Sequence, residues 1–167
     1  SLPGVQSRKI EMGKLVDLPS MMREVAETSQ RIAAKRGLEL IVNIGSPISL
    51  FSGDRPQILR VLTTLVSASI YRTTRGRIML NAYHFRMRDN NCADLNLPAN
   101  IYLPDGTWTA VGVSDTSSGL SPDIIRSLTD PVCDPSAGKT GAGLSIGEAR
   151  MIAESLHGTL WYEETPA

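Results

Sequence analysis

Residues 60–74 read RVLTTLVSASIYRTT, and this stretch sets the architecture. Together with Ile58 just upstream, Val61, Leu62, Leu65, Val66, Ser69 and Ile70 recur every three or four positions, the period of one helix face. A stripe that wide has to be buried against another layer. Asp54 precedes it as a helix N-cap, because its carboxylate can accept from the open amides of a first turn.

Working outward, Arg77 to Phe85 and Trp108 to Val113 read as strands, joined by a polar loop containing RDNNCADLNLP. The second strand delivers Asp115 to its C-terminal end. Upstream, apolar or small residues at Met22, Val25, Ala26, Ile32 and Ala33 predict a helix from Pro19 to Arg36, stopped at Gly37. LELIVNI, residues 38–44, alternates as a strand, and a turn through Gly45-Ser46-Pro47 leads to the short apolar ISLF. Downstream, a short helix is expected over Asp123 to Leu128. A Pro/Gly/Ser/Thr-rich loop, TDPVCDPSAGKTGAG, comes next, then a helix from about Leu144 to Leu156 and a strand at TLWYEE. The fold class expected is α+β, a two-layer α/β sandwich with a mixed sheet and helices on one face.

Composition narrows the function classes. The 167 residues balance 17 basic against 17 acidic side chains and are 41% hydrophobic. That argues for one folded domain and against a nucleic-acid partner. No apolar run approaches the roughly 20 residues that span a bilayer, and no secretory signal opens the chain. A cytoplasmic location without membrane contact is therefore expected. Cys92 and Cys133 form no CxxC, and His84 and His157 are the only histidines, so neither a metal site nor a disulfide framework is indicated. Residues 1–13 show no period and read as a tag or linker remnant, leaving 14–167 as the domain.

Three blocks in order carry a family resemblance. RVLTTLVSASIYRTT resembles a VLxNLLxNAxKYT helix block, VSDTSSGLSPDII a DxGxGI block, and GKTGAGLSIGEARMIAESLHGTLWYEE a GxGLGLxIxxxIVExxGGxIW block. From about Asp17 to Glu163 the chain thus resembles the ATP-binding catalytic domain of sensor histidine kinases, in the GHKL ATPase superfamily with its Bergerat-type fold. The resemblance implies two-component signalling, ATP as cofactor, and a histidine-bearing dimerisation domain, a partner kinase or a response regulator as partners. It implies a monomer for the isolated domain, since family dimers form through other helices. It also implies a further strand beyond Ala167, so the chain reads as part of a larger sensor protein.

The departures from the family pattern shape the expected function. Ala68 stands where the family places the asparagine that ligates Mg²⁺, and a methyl group offers that ion no oxygen donor. Thr64 replaces the other asparagine and Tyr71 the lysine; Thr64, Ala68, Tyr71 and Arg72 are expected on one helix face. Arg72 either turns inward to replace the lost cation or is solvated. The resemblance makes Asp115 the acceptor for an adenine amino group and Gly119 the second glycine of its block. The plainer alternative for Asp115 is a turn aspartate bonding its own backbone. Ser117 replaces the first glycine, often in a left-handed conformation, where a Cβ costs about 1 kcal/mol.

Gly141 and Gly143 match the phosphate loop, Lys139 is within reach of a phosphate, and Ser145 replaces a further glycine. Glu148 either opposes a bound phosphate or is solvated. The aromatic anchors of the family's lid are absent around Asp130-Pro131, and His157 reads as a turn residue. No phosphoacceptor histidine segment is present. The expected function is a degenerate catalytic domain, a pseudokinase with weak or no Mg-ATP binding that acts as a signalling module, with no catalytic or metal-ligating residue of its own. The alternative is an active histidine kinase domain in which Thr64, a water or Arg72 supplies the missing groups. A third reading is a sensor pocket for another small ligand, adenine-bearing or otherwise.

Overall fold

The computed structural model describes residues 15–45, 47–92, 95, 97–130, 136 and 145–163. A short strand β1 (Leu15–Val16) leads into helix α1 (Leu18–Lys35), then β2 (Leu38–Ile44), β3 (Phe51–Ser52) and helix α2 (Arg55–Arg72). Strands β4 (Gly76–Met87) and β5 (Gly106–Asp115) follow, and helices α3 (Pro122–Thr129) and α4 (Ile146–Ser155) close the described part.

Each helix begins where its sequence provides an acceptor. Asp17, Asp54 and Ser121 cap α1, α2 and α3 by accepting from the amides of Ser20, Gln57 and Ile124. A proline in the first turn of each wastes no donor, since those amides lack intrahelical partners anyway. Helix α1 stops before Gly37, whose φ of +70° suits glycine. Its buried face is Leu18, Met21, Met22, Val25, Ser29 and Ala33. Ile32, expected in that face, is 57% exposed.

The main sheet has the order β2-β4-β5, with β2 parallel and β5 antiparallel to β4, and β1 and β3 form a separate two-stranded antiparallel ribbon. The α+β class and the mixed sheet are as expected. The core lies between the sheet and α1 and α2, where Ile78, Leu80 and Ala82 of β4 meet Leu62, Val66 and Ile70 of α2. The opposite face is covered at its far end by Cys92, Leu97, Ile101 and Leu103 from the β4–β5 connection. That connection starts with a tight turn at Asp89 and Asn90, both left-handed with φ of 52° and 60°, between the bridged residues Arg88 and Asn91.

One pairing was not anticipated and one expectation is corrected. Leu15–Val16 pairs with Phe51–Ser52, although a two-residue strand has no readable period. The TLWYEE segment forms no strand among its described residues, 159–163. Its alternation nonetheless sorts the side chains. Leu160 and Tyr162 pack with Ala68 and Leu128, while Trp161 meets Phe85 edge-on at 6.5 Å. Side-chain burial anchors the segment without a backbone ladder.

Candidate functional site

Strand β5 ends at the first candidate residue. The turn after it is pinned to β4 by Thr116, whose amide donates to Arg77 O at 3.2 Å and whose hydroxyl donates to Arg75 O at 2.7 Å. The amide of Arg77 donates back to Thr116 Oγ1 at 3.1 Å. Gly76 lies against this lock with φ of +110°, and a Cβ built there would sit 2.2 Å from Thr116 Oγ1.

Asp115 is thereby held with its side chain only 7% exposed. Its Oδ1 accepts from Ser117 N at 3.1 Å and from Ser117 Oγ at 2.6 Å. Arg72, at the end of α2, donates from Nη2 to Asp115 Oδ2 at 2.7 Å and to Ser69 Oγ at 3.0 Å. Burial raises the Asp115 carboxyl, but hydrogen bonds from the Ser117 and Ser69 hydroxyls, the Arg72 charge and the Ser117 amide outweigh it. The group is held below its ordinary value of 3.8. Arg72 is therefore turned inward, onto Asp115, rather than solvated. Asp115 does bond its own backbone in an Asx turn, as the plainer reading had it, and is ion-paired besides.

Ser117 is not among the left-handed non-glycine residues, so the expected strain is not incurred there. Gly119 is left-handed, with φ of +104°, and its amide donates to Ser117 Oγ at 3.2 Å. Leu65, Ser69, Arg72, Asp115, Gly119 and Ile146 line one open cleft of about 1100 Å³, which also runs along β5.

The candidates on α2 do not share a face. Ala68 is 6% exposed and packs with Leu128 of α3, Ile146 of α4 and Leu65, whereas Tyr71 is 68% exposed. Thr64 is half-buried and does not line the cleft. Among the described residues no cluster of three His, Cys, Asp or Glu side chains could hold a metal ion. Lys139, Gly141 and Gly143 lie outside the described residues.

The N-terminus of α4 is built by the two residues that replace family glycine and apolar positions. Ser145 Oγ accepts from Glu148 N at 3.0 Å, and Glu148 Oε1 accepts from Ser145 N at 3.0 Å, a reciprocal capping box. Glu148 is thus a cap rather than a solvated side chain. The S-x-x-E spacing was visible in the sequence. The Arg72–Asp115 pair had no such signal, since its partners come from separate elements.

Arg150, buried on α4, ties that helix to α3 by donating from Nη1 to Ser127 O at 2.5 Å and Asp130 O at 2.7 Å. At the other end of α4, His157 is the turn residue expected, with φ of 65°. His157 N and Gly158 N donate to Glu154 O and Ala153 O.

No family model matches the chain. A sequence relative is sensor protein GacS of Pseudomonas syringae pv. syringae, 30% identical over 172 residues covering 95% of this chain. The chain spans 17% of that protein's length. Among solved structures, a nucleotide-free form of the catalytic domain of histidine kinase ThkA superposes with a TM-score of 0.62 at 19% identity, covering 92% of this chain and 88% of that one. Histidine kinase ThkA in complex with response regulator protein TrrA gives a TM-score of 0.58 at 18% identity, over 91% of this chain and 38% of that one. No helix among the described residues is long and apolar enough to cross a membrane. In its mixed sheet with helices packed against it, the chain has the fold of the histidine kinase catalytic domains on which it superposes.

Proposed function

We propose that this domain is a degenerate member of that fold, a pseudokinase with weak or no Mg-ATP binding that serves as a signalling module of a two-component protein. The observation that carries this reading is the burial of Ala68 among Leu65, Leu128 and Ile146. Mg²⁺ takes a near-octahedral shell of oxygen donors. At the position where the resemblance implies such a donor, a methyl group meets apolar side chains, so the residues present do not fit the ion. Phosphoryl transfer depends on metal and positioned cations to neutralise the migrating group. Tyr71 brings no charge, and Arg72 is committed to Asp115.

Its partners in this reading are a histidine-bearing dimerisation domain of the same protein, a partner kinase or a response regulator. The ThkA complex with a response regulator gives that last class its precedent. An active kinase, with Thr64, a water or Arg72 as substitute, is disfavoured because Thr64 does not line the cleft.

Calorimetric titration with an ATP analogue, with and without Mg²⁺, tests the reading. The expected result is binding that is millimolar or absent and unchanged by the metal. Micromolar binding strengthened by Mg²⁺, or phosphohistidine formation by the domain joined to histidine-bearing helices, overturns it.

A further inference from the structure

Side chains alternate across a strand, so β4 has two faces. Ile78, Leu80 and Ala82 lie on the core side, which puts Asn81 and Tyr83 on the outer face of the sheet. The register sets Asn43 of β2 and Gly112 of β5 beside Asn81, and Ala110 beside Tyr83. Asn43 donates from Nδ2 to Asn81 Oδ1 at 3.3 Å, and Asn81 donates from Nδ2 to Ser114 Oγ at 3.2 Å. A polar row thus crosses β2, β4 and β5. Gly112 leaves the floor beside that row open, since a Cβ built on it meets nothing within 4 Å. At the other end Trp161 is held between Phe85, which it meets edge-on, and Glu163, whose Oε1 accepts from its indole N–H at 3.0 Å. The polar row, Gly112, Tyr83, Trp161 and Glu163 all line the cleft.

Among the described residues, Asn43 Oδ1 and Glu163 Oε2 have no donor, and the Ser114 and Tyr83 hydroxyls have no acceptor. Burial, with Glu163 and Cys92 nearby, holds the Tyr83 phenol above its ordinary value, so it stays neutral. Asn81 and Tyr83 are two residues apart, about 7 Å along the strand, the reach of a single sugar-sized ring. A hydroxyl both donates and accepts, so a ring carrying several of them answers these donors and acceptors together. An anion finds no open partner, because Arg72, the one cation among the described residues lining the cleft, is bound to Asp115.

We propose that this outer wall of the cleft binds a neutral polyhydroxylated ring, a saccharide, with Asn43, Asn81 and Ser114 bonding its hydroxyls and Tyr83 and Trp161 packing on its C–H face. None of these side chains bonds Asp115 or Arg72, so the site goes beyond the kinase-like reading and does not depend on it.

The test titrates glucose, N-acetylglucosamine and maltose into the wild-type chain and into Gly112→Val, Asn81→Ala and Trp161→Ala. Backbone amide, asparagine side-chain and indole N–H chemical shifts provide the readout, and circular dichroism checks folding. Saturable shifts are expected with at least one sugar, confined to residues 43, 81–83, 110–114 and 161–163. Gly112→Val places a strand-favouring side chain in open space, so it is expected to fold as the wild type does and to weaken that sugar by about tenfold or more. Asn81→Ala and Trp161→Ala are expected to weaken it in the same direction; should either unfold, Gly112→Val alone decides. Absence of saturable shifts with all three sugars overturns the proposal, as does unchanged affinity in Gly112→Val. Tighter binding of choline or of adenosine at the same residues also overturns it, since the wall would then be a cation or a nucleobase site.

Discussion

At residue scale, one carboxylate, Asp115, gathers the polar contacts at the end of β5. Asp115 titrates below its ordinary 3.8 because the Ser117 and Ser69 hydroxyls, Arg72 and the Ser117 amide together overcome its burial. A depressed folded pKa means stability that is present above the unfolded value and lost as pH falls through the folded one. Urea unfolding of wild type and Asp115→Asn should therefore give a stability gap that is constant near neutrality and shrinks below about pH 3.8. A gap that widens with acid contradicts the assignment. His157 supplies an independent test. It holds the left-handed position after α4 with φ of 65°, where a Cβ is strained. His157→Gly should raise stability by about 1 kcal/mol, a melting increase of about 2–4 °C. The glycine of the family motif made this position legible. The ion pair of Asp115 was not legible, because Arg72 reaches it only once α2 and β5 are packed together.

At element scale, helix ends and strand ends set the site. The Asp54 N-cap was legible before its apolar period, so that α2 declared both its start and its buried stripe, whereas the caps Asp17 and Ser121 emerge only in the structure. The capping box of α4 was equally explicit as Ser145 and Glu148, yet the family frame drew attention to phosphate and away from the cap. The β1–β3 ribbon was not readable, because two residues carry no period. Nor could alternation at 159–163 reveal that side chains would be sorted without a ladder. Gly76 tests the strand end. With φ of +110° and Thr116 Oγ1 at 2.2 Å from a built Cβ, Gly76→Ala must either move Thr116 or distort the start of β4. A loss of about 2–3 kcal/mol in chemical denaturation is expected. A neutral result would mean the β4–β5 lock at Thr116 does not constrain the turn carrying Asp115.

At the scale of the whole molecule, α2, α3 and α4 converge on Ala68, and that convergence bears on the proposed weakness of Mg²⁺ binding. Ala68, Leu128 and Ile146 form one apolar cluster, joined by Leu65, Leu120, Leu160 and Tyr162. Arg150 holds α3 to α4 beside it through the carbonyls of Ser127 and Asp130. Sequence reading identified the substitution at position 68 from a motif, but not that the neighbouring helices had closed an apolar contact over it. A side-chain amide placed there loses its hydration and meets carbon atoms, at a cost of roughly 1–3 kcal/mol. Ala68→Asn should therefore lower the melting temperature by several degrees and still show no Mg²⁺-dependent change in nucleotide affinity. The check is a thermal melt paired with a titration at varied Mg²⁺. A stable variant that gains Mg²⁺ dependence would mean that the cluster opens readily and would contradict the proposed reading. A destabilised, metal-blind variant would mean that the proposed absence of Mg²⁺ binding is built into the packing of three helices around position 68.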